Sequence, residues 1–279
     1  MKANLTGVLQ AAAGGIGSFN VLDLDMAQAV LDAAEAARRP VIVGIASRHW
    51  DSIRAPRLAP SLLAMIEQAT VPAALHLDHA NERQLDMIRA ALDLGFTSIM
   101  IDGSHLPFSK NAALTARVVE LARDYGAGVE GELGGIAGEE GVADTGADSP
   151  EQMPYTDPAE ATRFVAETGV DALAVAVGTA HGIYKHEPKI DFDTIRNVAK
   201  ATPVPLVMHG ATGISNEVIR LSVQIGIRKI NYFSGLLAEG INEIRETAKL
   251  DGYDFLGFKQ RLAARWKADV RRQIELYAG

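Results

Sequence analysis

The sequence contains no cysteine. Disulfide staples and thiolate metal ligands are therefore excluded, and any metal site must be built from His, Asp, Glu or water. The same absence suits a reducing cytoplasm, which is the compartment expected for the chain. Positive charge is also in short supply: 27 Lys and Arg stand against 35 Asp and Glu, for a formal charge of −8, and no Lys/Arg-rich run occurs. Nucleic acid and anionic membrane are thus not expected as main partners. A small molecule is. No apolar run approaches the length needed to cross a membrane. The opening MKANLTGVLQAAAGG has something of a short signal peptide, but Gln10 interrupts its apolar stretch while Leu5, Val8, Leu9 and Ala12 keep helical spacing. That pattern predicts an amphipathic first helix.

What the chain does have is length and apolar content: 279 residues, 48% of them hydrophobic, enough for a large core in one domain. Short β-type runs recur at 15–21, 40–46, 72–77, 97–102, 126–133, 171–178, 204–209 and 228–233. Between them lie helix-like segments such as 25–39, 82–95, 111–126, 157–169 and 216–226, several opening at Asp or Asn and closing at Gly. Strands that are apolar nearly throughout, alternating with helices, call for a parallel sheet covered by helices. Eight such units predict a (β/α)8 TIM barrel spanning residues 1–279 as a single domain. A doubly wound open sheet is the alternative, but no G-x-G-x-x-G follows the first strand.

Two regions break the rhythm. Residues 134–158, GGIAGEEGVADTGADSPEQMPYTDP, are long, acidic and rich in Gly and Pro, the character of a lid or binding loop. Near the C-terminus Phe258, Leu262, Trp266, Val270 and Ile274 recur every four residues, with Arg261, Arg265, Lys267 and Arg271 among them. This is a terminal helical extension that packs on the barrel or meets another subunit.

The ionisable residues collect at one end of the predicted strands. Asp78 and His79 follow strand three, Asp102 ends strand four, Glu132 ends strand five, His181 follows strand six, His209 ends strand seven and Asn231 ends strand eight. All are directed to the C-terminal mouth, where barrel enzymes keep their active sites. A lone histidine is ordinarily a structural residue. Three at active-site strand ends, in a chain with seven, instead suggest a three-imidazole site with an open coordination position, suited to zinc or, by residue type alone, cobalt, iron or manganese. The loops after strands seven and eight read HGATGIS and NYFSG. Gly210 and Gly213 permit close backbone approach, Thr212 and Ser234 offer hydroxyls and Lys185 adds charge, a combination suited to phosphate.

Taken together, SFNVLDLDMAQAV, HLDHA, SIMIDGSHLPFSKN, VEGELGGIAGEE, DALAVAVGTAHGIYK, MHGATGIS and RKIN resemble the class II, metal-dependent fructose- and tagatose-bisphosphate aldolases over nearly the whole chain. The resemblance implies a (β/α)8 barrel, usually a homodimer or homotetramer, that reversibly cleaves a ketose (bis)phosphate or related ketose to dihydroxyacetone phosphate, or dihydroxyacetone, and an aldehyde. It implies zinc on His79, His181 and His209, with Glu132 and Asp102 as alternative ligand positions and a monovalent cation nearby. It also points to Asp78 as the catalytic acid/base and to Glu140, or its neighbour Glu139, as the mobile-loop glutamate. Ser47, Gly182, Lys185, Gly210, Thr212, Asn231 and Ser234 would then hold substrate.

The sequence departs from the family pattern where the substrate's aldehyde half is expected. The loop after strand two reads SRHWDSIRAP, in which either Arg48, His49, Trp50 and Arg54 form an aldehyde pocket of altered shape or Arg48 replaces charge the family carries elsewhere. Phe233 and Ser234 replace a small or acidic residue and a threonine, which narrows the phosphate pocket, and the segment 251–259, DGYDFLGFK, lacks the family's basic character. Ala80 and Thr212 are milder changes. Two rival readings are a Schiff-base aldolase acting through Lys229 and a non-catalytic sugar-phosphate binding protein on the same scaffold. A metal-dependent hydrolase would carry an H-x-H pair on the first strand, where this chain has FNV.

Overall fold

Alternation of side chains along each strand decides how the chain closes. Val41, Val43 and Ile45 pack outward into the cluster shared with the helices, while Ile42 between them belongs to a separate interior cluster. The computed structural model describes residues 1–11, 13–136, 155–182, 184, 186, 188–250, 252 and 254–279. In it eight parallel strands form a closed barrel in sequence order: β1 (Ile16–Asn20), β2 (Val41–Ala46), β3 (Ala73–Ala80), β4 (Ser98–Ile101), β5 (Gly128–Leu133), β6 (Ala172–Val175), β7 (Leu206–Met208) and β8 (Ile227–Tyr232). The ring is closed by β1 against β8, with Ser18 opposite Asn231 and Phe19 opposite Tyr232.

Around the barrel run α2 (Leu24–Ala37), α3 (Ala55–Gln68), α4 (Leu85–Leu94), α5 (Phe108–Arg123), α6 (Pro158–Thr168), α7 (Phe192–Ala201), α8 (Asn216–Ile225) and α9 (Ser234–Thr247). Asp23, Asp157 and Asp191 cap helix N-termini through their carboxylates, and Gly95, Gly169 and Gly226 close helices, as the Asp/Gly punctuation of the sequence predicts. The first helix, α1 (Leu5–Gln10), does form. Its Leu5, Val8 and Leu9 pack with Ile16, Ile42, Ala74, Met100, Ala172, Ala174 and Val207 and plug the barrel at the strands' N-terminal ends. Ala12 lies outside the described residues.

The terminal helix, α10 (Phe255–Tyr277), packs against α2, α8, α9 and the start of β1, burying Trp266, Val270 and Ile274. The backbone N–H of Gly15 donates to the Tyr277 carbonyl at 2.7 Å, which ties the helix to the entry of the first strand. Among the described residues no helix is long and apolar enough to cross a membrane.

The loop after β2 differs from expectation. It opens with one 3-10 turn over Ser47–His49, and Trp50 swings into the core, 6% exposed, with its ring centroid 5.9 Å from that of Phe96. Trp50 therefore supports packing and does not line an aldehyde pocket. A flat apolar ring gains more from burial against Phe96 in the core than from solvent at the mouth. Arg54 is exposed at a left-handed φ of 52° just before α3.

Candidate active site

With apolar residues filling the barrel's lower interior, the polar side chains of the same strands are stacked above them. Strand alternation puts Glu130 on the same face as Glu132, His76 with Asp78, and Lys229 with Asn231. All six are buried.

His79, at the end of β3, has a left-handed φ of 51°. That turn brings its ring into the mouth, with centroids 4.5 Å from His209 and 4.8 Å from His181. One nitrogen from each of the three histidines lies within 4.8 Å of the others, and one ligand atom each of His79, Asp102 and Glu132 lies within 4.8 Å of the others as well. The three expected imidazoles and both expected carboxylates thus meet at one place.

The tautomers follow from the partners. His209 Nε2 lies 2.8 Å from Glu130 Oε1, so Nε2–H donates to the carboxylate and Nδ1 is left as an acceptor facing the mouth. Asn231 Nδ2 donates to that Nδ1 at 3.1 Å. His79 Nδ1 sits 3.4 Å from Asp102 Oδ2, which turns Nε2 inward, 2.9 Å from His209 Nδ1. Two inward nitrogens whose outer N–H groups serve carboxylates suit a shared cation, and carboxylate-backed imidazoles are the usual form of such ligands. Burial, then the neighbouring His79, lowers the pKa of both His181 and His209, keeping them neutral and able to donate lone pairs.

Glu132 is 1% exposed and its Oε2 has no hydrogen-bond partner among the described residues. Burial, reinforced by the Asp102 charge, pushes its carboxyl well above the usual range. An orphaned buried carboxylate oxygen beside three imidazoles is a second observation that fits a cation.

Asp78 is fully buried and held from three sides. Asn20 of β1 donates to Oδ2 at 2.8 Å, Asn231 of β8 donates to Oδ1 at 3.2 Å, and His76 Nε2 stands 3.3 Å from Oδ1. Burial alone would raise its pKa, but His79, His76, His209 and Lys229 together hold it well below the usual carboxylate range. Asn20 reaches Asp78 because Gly44 has no side chain: a Cβ there would stand 2.1 Å from Asn20 Oδ1.

Sequence reasoning overlooked Glu130. It is 0% exposed, bonds His209 and stands 2.8 Å from Lys229 Nζ; burial works against its ionisation, yet Lys229 and His209 lower its pKa to about 2. The signal was present, because Glu130 is two residues before Glu132 on one strand. Lys229 also donates to Asn231 at 2.7 Å. A lysine sealed at 0% exposure in an ion pair with Glu130 is out of reach of a substrate carbonyl, which argues against the Schiff-base reading.

Loops after β6, β7 and β8 form the other side of the mouth. Gly182 and Gly210 have φ of 100° and 67°, and a Cβ on Gly210 would meet the Ala180 carbonyl at 2.2 Å. Tyr184, also overlooked, links these loops: its hydroxyl accepts from Ala180 N and donates to the Gly210 carbonyl, each at 2.7 Å. Thr212 Oγ1 accepts from Gly235 N at 3.4 Å, and Ser234 opens α9, buried. Ser47 donates to the His79 carbonyl at 2.6 Å, bracing that residue's unusual backbone. Lys185, Glu139 and Glu140 lie outside the described residues, as does 137–154 of the expected lid.

Comparison with known proteins agrees with this geometry. The family described as fructose-bisphosphate aldolase class-II matches residues 3–278. The fructose-bisphosphate aldolase of Geobacillus stearothermophilus is 41% identical over 219 residues, covering 77% of this chain and 74% of its own. That of Staphylococcus aureus (strain Mu50) is 39% identical over 225 residues, with 77% and 74% covered. Among solved structures, the YdjI aldolase of Escherichia coli K12 superposes with a TM-score of 0.87 at 32% identity, covering 99% of this chain and 97% of that one.

Proposed function

Since the chain belongs to the class II fructose-bisphosphate aldolase family and is a metal-dependent aldolase, a carbon–carbon lyase, we propose that it cleaves a ketose 1-phosphate reversibly to dihydroxyacetone phosphate and an aldehyde. The observation that carries this reading is Asp78, ionised, fixed by two asparagines and set beside the three converging imidazoles.

His79, His181 and His209 would hold a zinc ion, which supplies Lewis acidity to the substrate's C2 carbonyl. Glu132 and Asp102 offer the alternative ligand positions. Asp78 takes the proton of the C4 hydroxyl as the C3–C4 bond breaks, and returns it to the aldehyde oxygen in the condensation direction. Its depressed pKa keeps it ionised, and Asn20, Asn231 and His76 hold its lone pairs on one course. Glu140 of the loop after β5 would deliver the proton to C3. The 1-phosphate would sit on the backbone of Gly182 and Gly210, the hydroxyls of Thr212 and Ser234 and the N-terminus of α9, with Lys185 adding charge. Asn231 would position the dihydroxyacetone half while holding Asp78. Ser47, in the turn after β2, would contact the aldehyde half.

The test is aldol cleavage of a panel of ketose phosphates before and after EDTA, with zinc restored afterwards. Activity lost to EDTA and recovered with zinc supports the reading. Activity that resists EDTA and is trapped by borohydride overturns it.

A further inference from the structure

Resting on the aldolase reading, a side chain on the aldehyde side of Asp78 can be identified. The C4 oxygen that exchanges its proton with Asp78 becomes the aldehyde oxygen, so whatever walls the mouth beside Asp78, away from the β6–β7 loops, lines the aldehyde half. Asp78 is pinned to Asn20 at the end of β1. Over that strand end, the loops of its two neighbours meet: His49, in the turn after β2, packs edge-on against Phe233, in the turn after β8, with ring centroids 5.6 Å apart. Phe233 is 2% exposed, and so fixes the histidine rather than facing solvent.

His49 is half-buried, and its Nδ1 is buried with no hydrogen-bond partner among the described residues. The ring nitrogen left for a ligand is Nε2. With Nδ1 as the unbonded acceptor, the neutral ring carries its proton on Nε2, which makes that atom a donor. Burial, then the charge of Arg48, lowers the ring's pKa and keeps it neutral. One neutral donor matches a hydroxyl oxygen; a terminal phosphate calls for several charged donors.

We infer that His49, seated on Phe233, is the specificity-determining residue of the aldehyde half, donating through Nε2 to a hydroxyl of an unphosphorylated hydroxyaldehyde. The experiment compares the zinc-loaded full chain with His49→Ala and His49→Gln in two assays. One is exchange of the C3 proton of dihydroxyacetone phosphate with solvent, which needs no aldehyde. The other is condensation with glycolaldehyde, glyceraldehyde, propionaldehyde and glyceraldehyde 3-phosphate. His49→Ala is expected to lower kcat/KM for glycolaldehyde and glyceraldehyde about 10-fold, with propionaldehyde and the proton exchange little changed and His49→Gln partly restoring the loss. An equal fall with propionaldehyde, or no fall with any aldehyde, overturns the inference while the exchange reaction upholds the aldolase. A fall confined to glyceraldehyde 3-phosphate overturns the hydroxyl assignment. If the unsubstituted protein exchanges no proton, the aldolase reading fails first and this one with it.

Discussion

His209 Nε2 rests 2.8 Å from the carboxylate of Glu130, and that contact sets which of the two imidazole nitrogens faces the mouth. Since Glu130 also neutralises Lys229, one carboxylate serves the barrel interior and the site together.

These two duties separate by mutation. Glu130→Gln leaves the Lys229 ammonium buried without a counter-charge and should destabilise the protein by about 3–5 kcal/mol. The double variant Glu130→Gln, Lys229→Met should recover most of that loss in thermal unfolding. Its zinc affinity, measured by chelator competition, should remain lower by about 10–100-fold because the backing of His209 is weakened. Full recovery of affinity in the double variant would refute the orienting role.

Asp78→Asn is expected to lower kcat by about 10²–10⁴-fold, with zinc still bound. The substitution also sets an amide N–H against the donors Asn20 and Asn231, so thermal unfolding should show a modest destabilisation. Near-normal turnover would exclude Asp78 as the proton carrier.

The two glutamates of β5 make opposite predictions for pH. The folded-state pKa of Glu130 lies below its ordinary value of 4.5, so the stability it contributes is present above that value and is lost as pH falls toward about 2. Glu132 is shifted upward, so its contribution is present below 4.5 and is lost as pH rises through the higher folded value. In chelator-treated protein Glu132→Gln should therefore raise Tm at pH 8, by an amount that shrinks toward pH 4. A Tm difference independent of pH would show that Glu132 is not the group responsible.

Trp50→Ala should cost about 3–5 kcal/mol of stability without altering the ranking of aldehydes, since the ring faces Phe96 and the core. A changed ranking would return Trp50 to the substrate pocket.

Much of the site was legible because each expected residue stands at a strand's C-terminal end, where a barrel places its loops. His79, His181, His209, Asp78, Asp102 and Glu132 needed no knowledge of pairing. Glu130 with Lys229 did, because a carboxylate and an ammonium on distant strands become partners only through the register of the closed barrel. Asn20 was hidden for a related reason: its reach to Asp78 depends on the space left by Gly44 on the adjacent strand. Trp50 misled, since an aromatic in a loop beside a site has no periodicity to show which way it turns. Tyr184 sat within a recognised block, but its role depends on a carbonyl in the next loop.

That tyrosine bridge bears on engineering. Its hydroxyl joins Ala180 to Gly210, and Gly210 presses its backbone onto the same Ala180 carbonyl. The segments bearing His181 and His209 are thereby coupled as a single graftable module. Transplanting either loop alone into a related barrel would sever the bridge, whereas exchanging the two as a cassette would carry both imidazoles across in register.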